Sequence, residues 1–454
     1  MSSPTSVDPP ASVTVIPGGP VRGSIRPPGS KSLTNRALIC AAMAKGSSKL
    51  TGCLRSEDTA VMIDSLQKCG VKIEVDGDTL HVDGSQRFAP RETVELFIAN
   101  SGTSVRFLTA ALSAAGGMYR LSGVPRMHER PIADLVDALT EVQNGAIRCE
   151  SDGGCPPVMI ESNGWNDALI TVAGNVSSQY LSGLMMAAPI AIGDAIDSVT
   201  IRVTGELVSR PYVDMTAETM RSFGAVVDIE DIQDNGESTV NVVVRQNGYQ
   251  GVDYAIEPDA SAASYFWAAA AITGGEVTVK GLTPDAMQGD VGFCNVLEQM
   301  GCTFTHDDDS MTISGRASRG VDVDMNHISD TVQTLSIVAL FADGPTRVRG
   351  VAHNRFKETD RIGDLACELR KLGATVEEHE DGMTITPPAN GVQPATLETY
   401  HDHRMAMSLA LAGLSAEGVQ ILDPSCTVKT YPEFFKDLEE LLGRPHQWAD
   451  SAVE

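Results

Sequence analysis

Two patterns of apolar residues alternate along the chain. In the first, stretches are apolar on nearly every side and rich in Ala: Arg36 to Ala44, Val105 to Ala115, Tyr180 to Ile192, Ala262 to Thr273, Val332 to Ala342 and Arg404 to Ala416. A helix apolar all round is a buried helix. In the second, apolar residues recur every three or four positions. Ile132, Leu135, Leu139 and Val142 make such a stripe, as do Ile362, Leu365, Leu369 and Leu372, with shorter versions at Met62, Leu66, Cys69 and at Phe293, Val296, Met300. This spacing predicts amphipathic helices lying on a core. A glycine follows each: Gly70, Gly145, Gly224, Gly301, Gly373 and Gly443, 70 to 79 residues apart. Gly just past a helix accepts the left-handed cap conformation.

Short strands fill the gaps, such as Gly275 to Val279 and Thr346 to Arg349. After each glycine a hairpin is expected. Val71 to Val75 and Thr79 to Val82 flank an Asp76-Gly77 turn. The repeating unit therefore reads strand, buried helix, strand, outer helix, strand, strand, and six units fit. The sixth lacks its closing hairpin, whereas Ser12 to Ile16 and Gly23 to Arg26 form a spare pair of strands at the start. We therefore expect an α/β protein of two three-repeat domains: residues 1–28 as an arm and strands completing the C-terminal domain, 29–256 as the N-terminal domain and 257–454 as the C-terminal one. Two crossings, near Pro27–Gly29 and Glu257–Asp259, would make a hinge.

Each buried helix is preceded by a short polar loop: Gly29 to Arg36, Asn100 to Arg106, Asn175 to Gln179, Pro258 to Ser261, His327 to Thr331 and His401 to Arg404. Helix N-termini carry unpaired N–H groups and about half a positive charge, so they suit anions. Their Ser, Thr, Asp and Asn residues also read simply as N-caps. Cations at these loops (Lys31, Arg36, Arg106, Arg404) argue for more than capping. Further cations cluster in Arg126, His128 and Arg130, in Arg355, Lys357 and Arg361 around Glu358 and Asp360, and at Lys429. A solvated charge cluster is the ordinary fate of such runs, but cations clustered beside glycine-containing polar loops favour bound phosphate or carboxylate. Asp330 and Glu358 are candidate acid–base groups.

Composition narrows the classes. With 454 residues, more than one domain is expected. The net charge of −26 repels nucleic acid and anionic membranes, so scarce cations gathered beside polar loops carry information. The nine Cys show no CxxC pairing and read as free buried thiols of a reducing cytosol. Met1 to Ala11 is Ser/Pro-rich without an apolar core, a frayed arm rather than a signal peptide. No metal signature and no nucleotide-cradling glycine loop is present, and Ser177 and Ser178 lack a nucleophile-elbow frame. We expect a cytoplasmic, monomeric, cofactor-free and metal-free enzyme acting on small phosphorylated molecules, with neither nucleic acid nor membrane as partner.

At these residues the sequence resembles the 5-enolpyruvylshikimate-3-phosphate synthase family. The motifs are Pro28-Gly-Ser-Lys-Ser-Leu-Thr-Asn-Arg-Ala37, Pro125-Arg-Met-His-Glu-Arg-Pro-Ile132, Lys357-Glu-Thr-Asp-Arg361 and Asp402-His-Arg-Met-Ala-Met407. The resemblance implies two inside-out α/β domains and transfer of the enolpyruvyl group of phosphoenolpyruvate to the 5-hydroxyl of shikimate 3-phosphate, releasing phosphate through a tetrahedral intermediate. It implies Lys31, Ser32, Arg36, Ser177, Ser178, Gln179, Ser209, Tyr212, Asp330, His353 and Lys357 as contacts of shikimate 3-phosphate. It implies Lys31, Gly102, Thr103, Arg126, Gln179, Arg361, Arg404 and Lys429 as contacts of phosphoenolpyruvate. Glu358 would be the acid that protonates the enol methylene, and Asp330, aided by Lys31, the base that takes the hydroxyl proton.

The sequence departs from the family pattern at Ser101 (commonly Ala), Phe107 (often Pro), His128 (often Lys) and His353 (often Asn). Gly102 is kept, which implies inhibition by glyphosate. The related transferase that acts on UDP-N-acetylglucosamine is the alternative. Its loop carries a reactive Cys, and Val124 to Pro131 has none. A non-catalytic anion-binding protein on the same fold is a second alternative, disfavoured by Lys31, Asp330, Lys357 and Glu358 occurring together.

Overall fold

The computed structural model of the protein describes residues 10–85, 88, 90–174, 177–191, 197–205, 207–234 and 237–450. Met1 to Pro9 of the expected arm, Asn175 and Val176 of the third polar loop, and Ile192 closing the third apolar stretch lie outside the described residues. By its internal contacts the chain divides into two compact units. The C-terminal unit joins Met1–Pro27 to Pro258–Glu454, and the N-terminal unit is Pro28–Glu257.

Twelve α-helices occur among the described residues, and they alternate in kind as the hydrophobic pattern does. The buried ones are α1 (Lys31–Ala42), α3 (Gly102–Ala115), α5 (Ser178–Ala187), α7 (Ala260–Thr273), α9 (Val332–Ala339) and α11 (His403–Ala410). The outer ones are α2 (Glu57–Lys68), α4 (Ala133–Val142), α6 (Arg210–Ser222), α8 (Phe293–Gln299), α10 (Gly363–Lys371) and α12 (Phe434–Leu442). Ala260 to Ile272 of α7 are buried without a break, which explains why its sequence shows no polar face. Small Ala residues let α1, α3 and α5 pack on each other in one unit, and α7, α9 and α11 in the other. Even these cores are stitched by hydroxyls. Ser264 of α7 lies 3.1 Å from Thr334 of α9, which lies 3.3 Å from Ser408 of α11, one hydroxyl per buried helix.

Six four-stranded sheets surround the helices, and each has the same order. Val94–Phe97 runs parallel to Gly117–Ser122, with α3 as the crossover that a parallel pair requires. Gly117–Ser122 is antiparallel to Val158–Trp165, and that strand to Gln143–Cys149. Sequence-distant strands complete three sheets. Asp253–Ala255 leads the sheet of Ser47–Thr51, and Arg22–Ile25 leads that of Glu276–Lys280. The sixth sheet does have its hairpin pair: Ser12–Thr14 lies between Val419–Leu422 and Gln447–Ala449, so one strand comes from each end of the chain. The two N-terminal strands thus serve two different sheets.

Three details correct the sequence reading. Gly145 does not cap α4; it lies inside the strand Gln143–Cys149 with φ 150, where a Cβ would come 2.0 Å from the Glu161 carbonyl oxygen. A close strand crossing, not a helix end, requires that glycine. The hairpin expected at Asp76-Gly77 closes one residue later, since Asp76 pairs with Thr79 and leaves Gly77 and Asp78 as the loop. All nine cysteines are free thiols, but Cys367 is exposed and Cys69, Cys149 and Cys426 are half-buried.

Candidate active site

In the N-terminal unit the polar loops do cap helices. Ser30 accepts from Leu33 N, Ser101 from Ser104 N and Ser177 from Gln179 N. What surrounds those caps is less ordinary. Lys31, the first residue of α1, pairs with buried Asp58 at 3.3 Å, and Ser32 follows it half-buried. Arg36, one turn on, is fully committed to its own unit. It donates to Thr216 Oγ1 (2.7 Å), the Ser32 carbonyl (3.0 Å), Ser182 Oγ (3.3 Å) and the Tyr212 carbonyl (3.2 Å). Its guanidinium lies 5.2 Å from the centroid of Phe107, so the unusual Phe107 supplies a face for the cation. Burial lowers the Arg36 pKa to about 10. Arg36 therefore ties the Ser32 and Tyr212 carbonyls together.

Helix α3 presents Gly102 and buried Thr103 at its start. Arg106 donates to Gln179 Oε1 (2.5 Å) and the Pro131 carbonyl (3.2 Å), and Gln179 Nε2 donates to Thr103 Oγ1 (3.3 Å). Arg106 thereby fixes which end of the Gln179 amide offers N–H. Ser178 is buried at the start of α5, and Ser209, also buried, enters α6 with φ 55. The structure separates the two arginines of the Pro125–Ile132 motif. Arg126 is 40 % exposed and pairs with Glu129. Arg130 is only 4 % exposed and donates to the Asn100 carbonyl (2.9 Å) and Asn100 Oδ1 (3.1 Å). A Cβ placed on Gly102 would stand 2.4 Å from Arg130 NH2. The cation at the start of α3 is thus Arg130. His128 Nε2 lies 3.1 Å from Ser122 Oγ.

The C-terminal unit carries a connected array of three cations and three carboxylates, all largely buried. Arg361 is gripped by Asp402, Nε to Oδ2 at 2.7 Å and NH2 to Oδ1 at 3.1 Å. Its NH2 also donates to Glu358 Oε2 (2.8 Å), and its NH1 lies 3.4 Å from Asp330 Oδ1. Lys429 donates to Glu358 Oε1 (2.7 Å), and Arg404 to Asp330 Oδ2 (2.7 Å). Burial alone would lower the Arg361 pKa, but Asp402, Glu358 and Asp330 together raise it. Asp402 also caps α11 by accepting from Arg404 N. Beside the array, His353 is buried, and burial with the nearby Lys357 lowers its pKa to about 3, so the ring is neutral. Buried Asp290 accepts from Ser261, and burial with the nearby Asp330 raises its pKa to about 7.

Sequence reasoning named Arg130 only as one cation of a loop cluster, and it missed Asp402, Asp58 and Asp290 as members of these clusters. Asp402 was visible only as an N-cap. Nothing local distinguishes Arg130 from Arg126, because what separates them is burial against Asn100 and Gly102, sequence-distant neighbours. Among the described residues no group of three or more His, Cys, Asp or Glu side chains could hold a metal ion, and no helix is long and apolar enough to cross a membrane.

The repeated sheets on buried helices are the fold of enolpyruvyl transferases. An EPSP synthase from Acinetobacter baumannii superposes with a TM-score of 0.78 at 24 % identity, covering 97 % of this chain and 100 % of that one. The enolpyruvyl transferase NikO from Streptomyces tendae gives 0.71 at 20 %, covering 98 % and 100 %. In sequence, residues 15–438 match the EPSP synthase (3-phosphoshikimate 1-carboxyvinyltransferase) family. The 3-phosphoshikimate 1-carboxyvinyltransferase of Marinomonas sp. (strain MWYL1) is 44 % identical over 428 residues, 94 % of this chain and 98 % of that protein. The chloroplastic enzyme of Brassica napus is 44 % identical over 440 residues, 93 % and 83 % respectively. The chain belongs to the EPSP synthase family.

Proposed function

We propose that the protein joins phosphoenolpyruvate to the 5-hydroxyl of shikimate 3-phosphate and releases phosphate, the enolpyruvyl transfer of the shikimate pathway. The observation that carries the residue assignment is the array of Arg361, Arg404 and Lys429 threaded with Glu358, Asp330 and Asp402 in a chain of this family. Arg and Lys held in place by carboxylates are preorganised for phosphate and carboxylate groups. On this reading Arg361, Arg404 and Lys429, with Lys31, Gly102, Thr103, Gln179 and Arg130, hold phosphoenolpyruvate. Lys31, Ser32, Ser177, Ser178, Gln179, Ser209, Tyr212, Asp330, His353 and Lys357 hold shikimate 3-phosphate, and Arg36 braces Ser32 and Tyr212.

Chemistry divides between two carboxylates. Asp330, against Arg404 and Arg361, accepts the proton of the attacking hydroxyl, with Lys31 steadying the developing oxyanion. Glu358 delivers the proton to the enol methylene. Both of its oxygens accept from cations here, so delivery requires those cations to be drawn to an anionic substrate. Binding and acid activation are then one event. In the elimination the methyl group returns a proton to Glu358 as the bond to phosphate breaks, and the arginines and Lys429 neutralise the departing phosphate. A cytoplasmic, monomeric protein belongs to the same proposal.

The test is phosphate release with both substrates and with each omitted. Release that needs both supports the assignment. Release that proceeds with a UDP-sugar acceptor but not with shikimate 3-phosphate overturns it.

A further inference from the structure

We propose that Glu368 is a positioning residue for the Asp402–Arg404 segment, acting through the Tyr400 hydroxyl; this rests on the reading that Arg361 and Arg404 hold phosphoenolpyruvate. Glu368 lies on α10 with no exposed surface. One of its oxygens accepts from the Tyr400 hydroxyl at 2.7 Å, and the other from Glu398 N at 3.0 Å and from Lys371 at 2.8 Å. Arg361 stands just before the same helix and grips Asp402. Asp360 fixes that helix start by accepting from Ile362 N and Gly363 N, both at 3.0 Å. One helix therefore holds the stretch from Glu398 to Asp402 at two points.

Between those two points the backbone is strained. Tyr400 and His401 both have φ 54, consecutive left-handed residues without a glycine, a conformation that persists only where its surroundings enforce it. The enforcement continues beyond the turn. His401 Nδ1 lies 2.6 Å from Asp423 Oδ2. Asp423 is itself left-handed, with φ 44, and opens the short helix Pro424–Lys429 that ends on Lys429. Three of the five non-glycine residues with positive φ among those described thus lie in one chain of contacts joining Glu368 to the segments that carry Arg404 and Lys429. A fully buried carboxylate is a costly way to stitch a loop, since an apolar contact would do as well. It is well suited to holding a strained turn at fixed register, because both oxygens must be satisfied at once.

Tyr400→Phe removes only the hydroxyl, and Glu368→Gln removes one acceptor while keeping the shape. Each is expected to raise KM for phosphoenolpyruvate about tenfold, the effect of one hydrogen bond on an orienting contact. KM for shikimate 3-phosphate stays near the parent value. A merely structural loss lowers the folded fraction, and so kcat per total protein, while leaving both KM values unchanged. Arg404→Lys tests the underlying reading and must raise the same KM. If it does and both other variants leave KM for phosphoenolpyruvate unchanged, Glu368 is only a stitch and the proposal is overturned. If Arg404→Lys leaves that KM unchanged, the underlying reading fails and the proposal with it. Should Glu368→Gln not fold, Tyr400→Phe alone decides.

Discussion

Arg130 and Arg126 stand four residues apart in one motif, and on the proposed reading they have different tasks. Replacing each with Ala separates those tasks. Arg130 is buried, its position set by two hydrogen bonds to Asn100 and its guanidinium packed over Gly102. Losing a charge-assisted hydrogen bond to a bound anion costs about 1.5–3 kcal/mol, which lowers kcat/KM for phosphoenolpyruvate roughly ten- to 150-fold. Arg126 is 40 % exposed and pairs with a still more exposed Glu129. An exposed pair is worth about 0–1 kcal/mol, so Arg126→Ala should cost less than about fivefold. Arg130→Lys keeps the charge but loses the planar fork, and should fall between the wild type and Arg130→Ala. Initial rates of phosphate release, varying each substrate in turn, measure all three. Melting curves on the same preparations correct for unfolded protein. If Arg126→Ala loses as much as Arg130→Ala, the burial argument is wrong and the exposed arginine is the ligand.

Glu358→Gln should lower kcat by about 10²–10⁴, the range for losing a general acid, and near-normal turnover would remove Glu358 from the chemistry. Gly102→Ala puts a Cβ 2.4 Å from Arg130 NH2. It should raise KM for phosphoenolpyruvate and weaken glyphosate inhibition without changing KM for shikimate 3-phosphate; an equal rise in both KM values would show general damage instead. His353 titrates near 3 when folded, below its ordinary value of about 6.5. The unfolded chain therefore takes up this proton first as pH falls. The stability that depends on neutral His353 is complete above pH about 6.5 and is lost between there and about 3, at up to about 1.4 kcal/mol per pH unit. His353→Asn should flatten that part of a urea-midpoint profile against pH, and an unchanged slope would count against a buried neutral ring.

The fold was legible where local sequence carries the constraint. A helix buried on every side must be apolar on every side, so the six Ala-rich stretches announced themselves, and α7 did so most plainly. The exchange of strands was only half legible. A strand of three residues such as Ser12–Thr14 has no periodicity from which to name its partner, and Gln447–Ala449 is short and exposed enough to pass as tail. Gly145 misled because a glycine at a strand crossing and one past a helix look alike when the spacing is regular. In the candidate site, charged residues in odd company were readable, including Lys31, Arg361, Arg404 and Lys429. Their counter-charges were not. Asp402, Asp58 and Glu368 sit in sequence as a cap, a first-turn acid and an outer-helix acid, and only tertiary burial turns them into partners of cations.

The carboxylates threaded between the cations also say how a strongly acidic protein can take up two anions. Three cations crowded together would repel one another and pay for it in stability. Glu358, Asp330 and Asp402 cancel that repulsion by count and fix each guanidinium before any ligand arrives. The arrangement is not symmetric in its consequences. Asp402 has no exposed surface, also caps α11 and stays bound to Arg361. Glu358 and Asp330 lie at the more accessible end, 8 % and 17 % exposed at their side chains, and they are the two that an incoming phosphate or carboxylate would compete with for Lys429, Arg361 and Arg404. On the proposed reading, the residues assigned to proton transfer are therefore the ones that substrate binding would uncouple. The one assigned to structure is the one it leaves alone.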